Sequence, residues 1–142
     1  MVSSTHRVFV YGTLKRGYPN AEGMNGAQFL GRFRTCDPFP LVIAGQWYTP
    51  VMLPERGTGH RVLGELYAVG DDTLAALDRL ESTHLPTGYT REEIPIESLE
   101  DASIVGAWTY FKERSRVSII HSEYLGDYQD RRYIPLSQRT GR

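Results

Sequence analysis

The sequence predicts an α+β domain: a small, mainly antiparallel β-barrel with one or two short flanking helices. Three observations lead there. Short β-branched and aromatic runs alternate along the chain. A single stretch switches to helical spacing. The strand–helix–strand rhythm that builds a parallel sheet is missing.

The first run, "RVFVY" (residues 7–11), reads as a strand that ends at Gly12. "AEGMNGAQFL" holds one short turn at most, and "AQFLGRFRT" (27–35) is strand-like. "DPFPLVIAGQWYTPVML" carries three prolines between short apolar runs, which predicts strands and turns bracketing a surface. "ERGTGH" is a loop tip, and "RVLGELYAV" (61–69) alternates as a strand. In "DDTLAALDRLEST" the period changes: Asp71 or Asp72 is placed to cap a helix, and Leu74, Leu77 and Leu80 recur at helical spacing. "YTREEIPIESL" and "SIVGAWTYF" return to strands. The tail "SEYLGDYQDRRYIPLSQRTGR" is polar and aromatic. It predicts a C-terminal arm, residues 115–142, packed on a single domain spanning 1–142.

Composition narrows the function classes. The chain has 142 residues, 40% hydrophobic and 23% charged, as expected of a soluble globular domain with a real core. Sixteen basic and 17 acidic residues give a net charge of −1, which offers no electrostatic argument for nucleic acid or an anionic membrane. No apolar run approaches the roughly 20 residues of a membrane span. The N-terminus has no signal-peptide core, and the single cysteine, Cys36, excludes an internal disulfide framework. A cytoplasmic protein is expected; the oligomeric state is not readable.

Gly12 and Gly17 enclose four residues, as the glycines of a phosphate-binding loop do. That motif needs Lys then Ser or Thr after its second glycine, where this chain has Tyr18 and Pro19. Pro19 donates no N–H, and it biases Tyr18 toward extended backbone. The nucleotide reading is therefore poor. Backbone N–H groups freed at a strand end can still converge on an anion, and a carboxylate suits them as well as a phosphate. The bland alternative is a tight turn with Lys15 in water.

The four histidines, His6, His60, His84 and His121, are scattered, with no metal-ligand spacing and no C-x-x-C. No G-x-S-x-G elbow occurs. Cys36 reads as a small residue at a strand end more readily than as a nucleophile. Glu81 carries more chemistry. It follows Leu77 by four residues and so shares the leucine face, while Asp78 and Arg79 turn elsewhere. It also sits at the negative C-terminal end of the helix dipole. Burial and dipole both raise a carboxyl pKa toward the range useful for moving protons at neutral pH. The competing reading is a frayed helix end with Glu81 in solvent.

Taken in order, "VFVYGTLKRGYPN", "PFPLVIAG", "GELYAV", "LDRLE" and "YTRE" resemble the γ-glutamylcyclotransferase family, most closely its γ-glutamylamine cyclotransferase (AIG2-like) branch. The resemblance runs from about Val8 through Tyr110, with a looser similarity at "RYIP". It implies a small β-barrel with flanking helices and no cofactor. It implies a transferase or lyase reaction that releases 5-oxoproline from a small γ-glutamyl amide and frees the amine. Tyr11, Gly12, Thr13 and Leu14 fall on the family's substrate-binding segment, and Glu81 falls on its catalytic glutamate. Tyr89 and Tyr110 resemble family tyrosines near the site; each reads equally well as a core aromatic with its hydroxyl at the surface. Two rivals stand beside this reading: a non-catalytic small-molecule-binding module on the same fold, and a thiol enzyme using Cys36.

Overall fold

The computed structural model describes residues 5–86 and 88–139. Seven strands and one α-helix follow in chain order: β1 (Thr5–Val10), β2 (Gln28–Phe39), β3 (Leu41–Ala44), β4 (Thr49–Met52), β5 (His60–Gly70), α1 (Asp71–Leu80), β6 (Thr90–Ser98) and β7 (Ile104–Phe111). Five strands close a barrel in the order β1-β5-β2-β6-β7, and β3 pairs with β4 as a separate ribbon. Every pairing is antiparallel except the seam, where β1 meets β7 in parallel at Val8 and Trp108. There the Thr109 hydroxyl donates to the Phe9 carbonyl at 3.0 Å, adding a side-chain tie where the ladder is short. The architecture is the small, mainly antiparallel barrel that the sequence predicts.

The barrel core packs Phe9, Phe33, Phe39, Leu66, Ile96 and Phe111. The ribbon is buried on both faces, as its unbroken apolar run requires. Leu41, Ile43 and Met52 face the barrel, while Val42, Ala44, Val51 and Leu53 form a second small cluster. β2 continues past the predicted end to Phe39 through a register shift between Arg34 and Pro38. Such an irregularity is where a strand tolerates a proline.

The helix starts differently from the expectation. Gly70 occupies the N-cap with no side-chain hydrogen bond. Asp71 stands inside the first turn, where its carboxylate meets His6 Nε2 at 2.6 Å. Leu74 and Leu77 bury α1 against Val8, Val10, Tyr67 and Val69, joined by Leu14 and Met24 from the segment after β1. Leu80 is 44% exposed and does not share that burial. Packing on Leu74 and Leu77 brings the C-terminal end of α1 to the loop that follows β1.

Lys15 overturns the solvated reading. It is 7% exposed. Its ammonium donates to Asp127 Oδ1 at 3.0 Å and to the Tyr128 carbonyl at 2.9 Å, tying the loop to the C-terminal segment. Lys15→Ala would strand the Asp127 carboxylate. The expected cost is about 2 kcal/mol, below a fully buried pair because Asp127 is partly exposed. A thermal melt checks this, with a Tm drop of roughly 5–8 °C expected; an unchanged Tm would contradict it.

Candidate active site

Residues 11–14 leave β1 at the end of the barrel that the C-terminus of α1 reaches. The Lys15 N–H donates to the Gly12 carbonyl at 3.1 Å and the Asn20 N–H to the Thr13 carbonyl at 2.8 Å, folding the loop back on itself. Among the described residues, no turn or loop hydrogen bond uses the N–H of Gly12, Thr13 or Leu14. The Asn20 amide also donates to Thr13 Oγ1 at 2.9 Å and to the Tyr133 hydroxyl at 3.1 Å.

Gly12 is needed for close approach, not for a positive φ. It is absent from the glycines with left-handed backbone. A Cβ placed on it would stand 2.8 Å from Cγ of Pro50. The Pro50 carbonyl in turn accepts the Tyr89 hydroxyl at 2.8 Å.

Glu81 is the C-cap of α1. Its backbone is held from both sides: its N–H donates to the Leu77 carbonyl at 2.9 Å, and its carbonyl accepts the Tyr89 N–H at 3.0 Å. The next residue, Ser82, turns the chain away with a φ of 55°. A Cβ on Gly88 would collide with the Ser82 carbonyl oxygen, so the chain returning toward β6 passes close behind. This is a fixed helix end and not a frayed one. Glu81 keeps some exposed surface, yet its carboxyl lies deep enough for burial to dominate. Burial pushes its pKa up to about 7, against a smaller downward pull from the Lys112 charge.

A cavity of about 280 Å³ brings these parts together. Tyr11, Gly12, Thr13, Leu14, Glu81, Tyr89 and Tyr110 all line it. Each of the seven residues singled out in the sequence therefore reaches one site. Tyr11 donates to the Tyr110 carbonyl at 2.7 Å and accepts the Met52 N–H at 3.3 Å, which locks β1, β4 and β7 together beneath the cavity. Burial, then the Glu81 charge, raises the Tyr11 pKa, so its hydroxyl stays protonated. The Tyr110 pKa is raised by burial first and then by its hydrogen bond to Asp78.

Asp78 departs from its sequence reading. Instead of turning away, it accepts the Tyr110 hydroxyl at 2.8 Å and Arg91 Nε at 2.9 Å. The signal was present: Asp78 follows Leu74 by four residues, which places it beside the buried face. Sequence reasoning also missed Asn20, Trp47, Lys112, Tyr133 and Arg139, which line the same cavity. Asn20 and Lys112 had local signals. Asn20 closes the quoted "YGTLKRGYPN", and Lys112 lies two residues beyond Tyr110, on the same side of an extended chain. Tyr133 lies in the loosely similar "RYIP" but was not singled out, and Trp47 and Arg139, from distant segments, carried no signal. Cys36 lies on β2 and does not line the cavity; burial pushes its thiol up, away from a nucleophile's range.

Among the described residues, no group of three or more His, Cys, Asp or Glu side chains is placed to hold a metal ion. No helix among them is long and apolar enough to cross a membrane. The arrangement offers a near-neutral carboxyl, protonated tyrosines and unengaged backbone donors around a space of small-molecule size.

Comparisons with known proteins bear on the family and the fold. The family model described as "Gamma-glutamyl cyclotransferase, AIG2-like" matches residues 8–130. The gamma-glutamylaminecyclotransferase of Bos taurus is 38% identical over 142 residues, covering 93% of this chain and 83% of its own. The Homo sapiens protein of the same name is 48% identical over 99 residues, covering 66% of this chain and 63% of its own. The crystal structure of an AIG2-like protein from Mus musculus superposes with a TM-score of 0.82 at 33% identity, covering 95% of this chain and 99% of that one. With a match across most of its length and the barrel in common, the chain belongs to the AIG2-like gamma-glutamyl cyclotransferase family of enzymes.

Proposed function

We propose that this enzyme releases 5-oxoproline and a free amine from a small γ-glutamyl amide, with Glu81 carrying the protons. The observation that supports this most is one juxtaposition: a carboxyl with a pKa near neutrality shares its cavity with Gly12, Thr13 and Leu14, whose N–H groups no turn or loop hydrogen bond engages. The loop donors suit the α-carboxylate of the γ-glutamyl group. Tyr11, Tyr89 and Tyr110 wall the space around it.

The chemistry then follows from where the protons must go. The α-nitrogen enters as an ammonium with three protons and leaves as a lactam N–H with one. Ionised Glu81 removes one proton, and the neutral amine attacks the γ-carbonyl carbon to form the new C–N bond. Glu81 passes that proton to the departing nitrogen as the old amide bond breaks. The second proton follows the same path, so the leaving group departs as an ammonium. Attack is intramolecular, so holding the γ-glutamyl chain in a curled conformation does much of the work. No step calls on a cofactor. We also read the chain as one domain in a cytoplasmic setting, with residues 115–142 as an arm whose Tyr133 and Arg139 border the cavity.

The test is a panel of γ-glutamyl amides with lysine, polyamine and other amine leaving groups, assayed for 5-oxoproline. Release from at least one supports the reading. Tight binding with no turnover across the panel would favour the non-catalytic binding module.

Two further results are expected. Glu81 must start as a carboxylate, so log kcat/KM rises with pH and levels off near pH 7. A profile flat from pH 5 to 8 would remove Glu81 as the titrating base. Activity is also expected to survive exhaustive dialysis against EDTA; an absolute requirement for added metal would overturn the proton-shuttle scheme.

A further inference from the structure

We propose that Lys112 anchors the α-carboxylate of the γ-glutamyl group, supplying the positive charge that the Gly12–Leu14 loop lacks; this rests on the reaction proposed above. No side chain in "GTL" is cationic, and the nearby Lys15 ammonium is spent on Asp127 and Tyr128. Arg139 also borders the cavity. Its guanidinium, though, donates to the Ile134 carbonyl and the Tyr133 hydroxyl, over the Trp47 ring. Arg91 is paired with Asp78. Lys112 differs from all three. It lines the cavity beside Glu81, and among the described residues its ammonium has no hydrogen-bonded partner.

Its position is nonetheless set. The Lys112 N–H donates to the Met52 carbonyl at 3.1 Å, fixing the base of the side chain. The ammonium lies 4.5 Å from the centre of the Tyr89 ring, and the Tyr89 hydroxyl is tied to Pro50. A half-buried cation held over an aromatic face, with no carboxylate hydrogen-bonded to it among the described residues, is arranged to receive one. Burial lowers its pKa and the Glu81 charge raises it, so the two groups feel each other across the cavity.

The substrate's own geometry closes the argument. Its α-carboxylate and α-nitrogen hang from the same carbon. Whatever grips the carboxylate must therefore lie close to whatever deprotonates the nitrogen. Lys112 and Glu81 line one small space and each feels the other's charge, which meets that requirement, with the loop N–H groups completing the grip.

5-Oxoproline keeps the carboxylate and allows a binding test that needs no turnover. Titration calorimetry would compare it with its carboxamide on the wild-type protein, Lys112→Met and Lys112→Arg. Met keeps the length and apolar contact of the stem without the charge. The wild type is expected to prefer the carboxylate by about tenfold or more. Lys112→Met should lose most of that preference while binding the carboxamide normally, and Lys112→Arg should keep part of it. In turnover, Lys112→Met should raise KM with little change in kcat. The rise of kcat/KM with pH should move to higher pH, because the charge that lowers the Glu81 pKa is gone. Tyr11, Tyr89, Tyr110, Tyr133 and Arg139 also face this space, and none of them changes in the variant. An undiminished carboxylate preference in Lys112→Met, or none in the wild type, would overturn the proposal. If amides give 5-oxoproline while Lys112→Met behaves as wild type, only the anchor is lost. If 5-oxoproline binds through Lys112 yet no amide is turned over, only the reaction is lost.

Discussion

Glu81→Gln is expected to fold, bind substrate and turn it over about 10² times more slowly, or slower still. Gln keeps the shape of the side chain and its hydrogen-bonding capacity but cannot relay a proton. The backbone contacts of residue 81 to Leu77 and Tyr89 use no side-chain atom, so they persist. The same substitution should stabilise the protein at alkaline pH. The folded carboxyl titrates at about 7 against an ordinary 4.5. Between those values the folded state holds a proton that the unfolded chain has released. That contribution is complete below about pH 4.5 and lost as pH rises through about 7. Above pH 7 the wild type therefore carries a buried charge that Gln lacks. Because Glu81 keeps some exposure, the difference is about 1–2 kcal/mol. Near-normal turnover in folded Glu81→Gln would remove Glu81 from the mechanism. A Tm that falls at pH 8 would contradict the burial argument.

Gly12→Val is expected to lower kcat/KM by about 10² or more. The new Cβ alone meets Pro50 Cγ at 2.8 Å, and a proline ring has little room to yield. Moving Pro50 also moves Tyr89, whose hydroxyl it holds. A displacement near 1 Å at such a wall is enough to spoil an intramolecular attack. Kinetics of Gly12→Val and of a substrate with an amidated α-carboxylate check this together. If folded Gly12→Val retains activity and the amidated substrate reacts normally, the loop does not grip a carboxylate.

The contrast between Glu81 and Lys15 explains how much of the site the sequence carries. Glu81, Leu74 and Leu77 lie on one helix, so a 3.6-residue period alone places the carboxyl on the buried face. The end of "RVFVY" at Gly12 likewise marks the loop that opens into the cavity. Strand existence follows from alternation and β-branching, which is why the barrel is legible although its closure is not. The seam between β1 and β7 joins residues a hundred positions apart, and no local pattern encodes it. Lys15 shows the opposite failure. By composition a lysine in a glycine-bounded loop belongs in water; its burial depends on Asp127 and Tyr128, which only the fold supplies. Trp47, Tyr133 and Arg139 reach the cavity for the same reason.

In the proposed reaction the substrate's own amine, and not water, attacks the γ-carbonyl. Turnover of a γ-glutamyl amide in oxygen-labelled water, followed by mass spectrometry, tests it most directly. Unlabelled 5-oxoproline in a one-to-one ratio with the released amine is expected. Glutamate carrying one labelled oxygen would instead mean hydrolysis, with Glu81 activating water, and would contradict the proposed reaction.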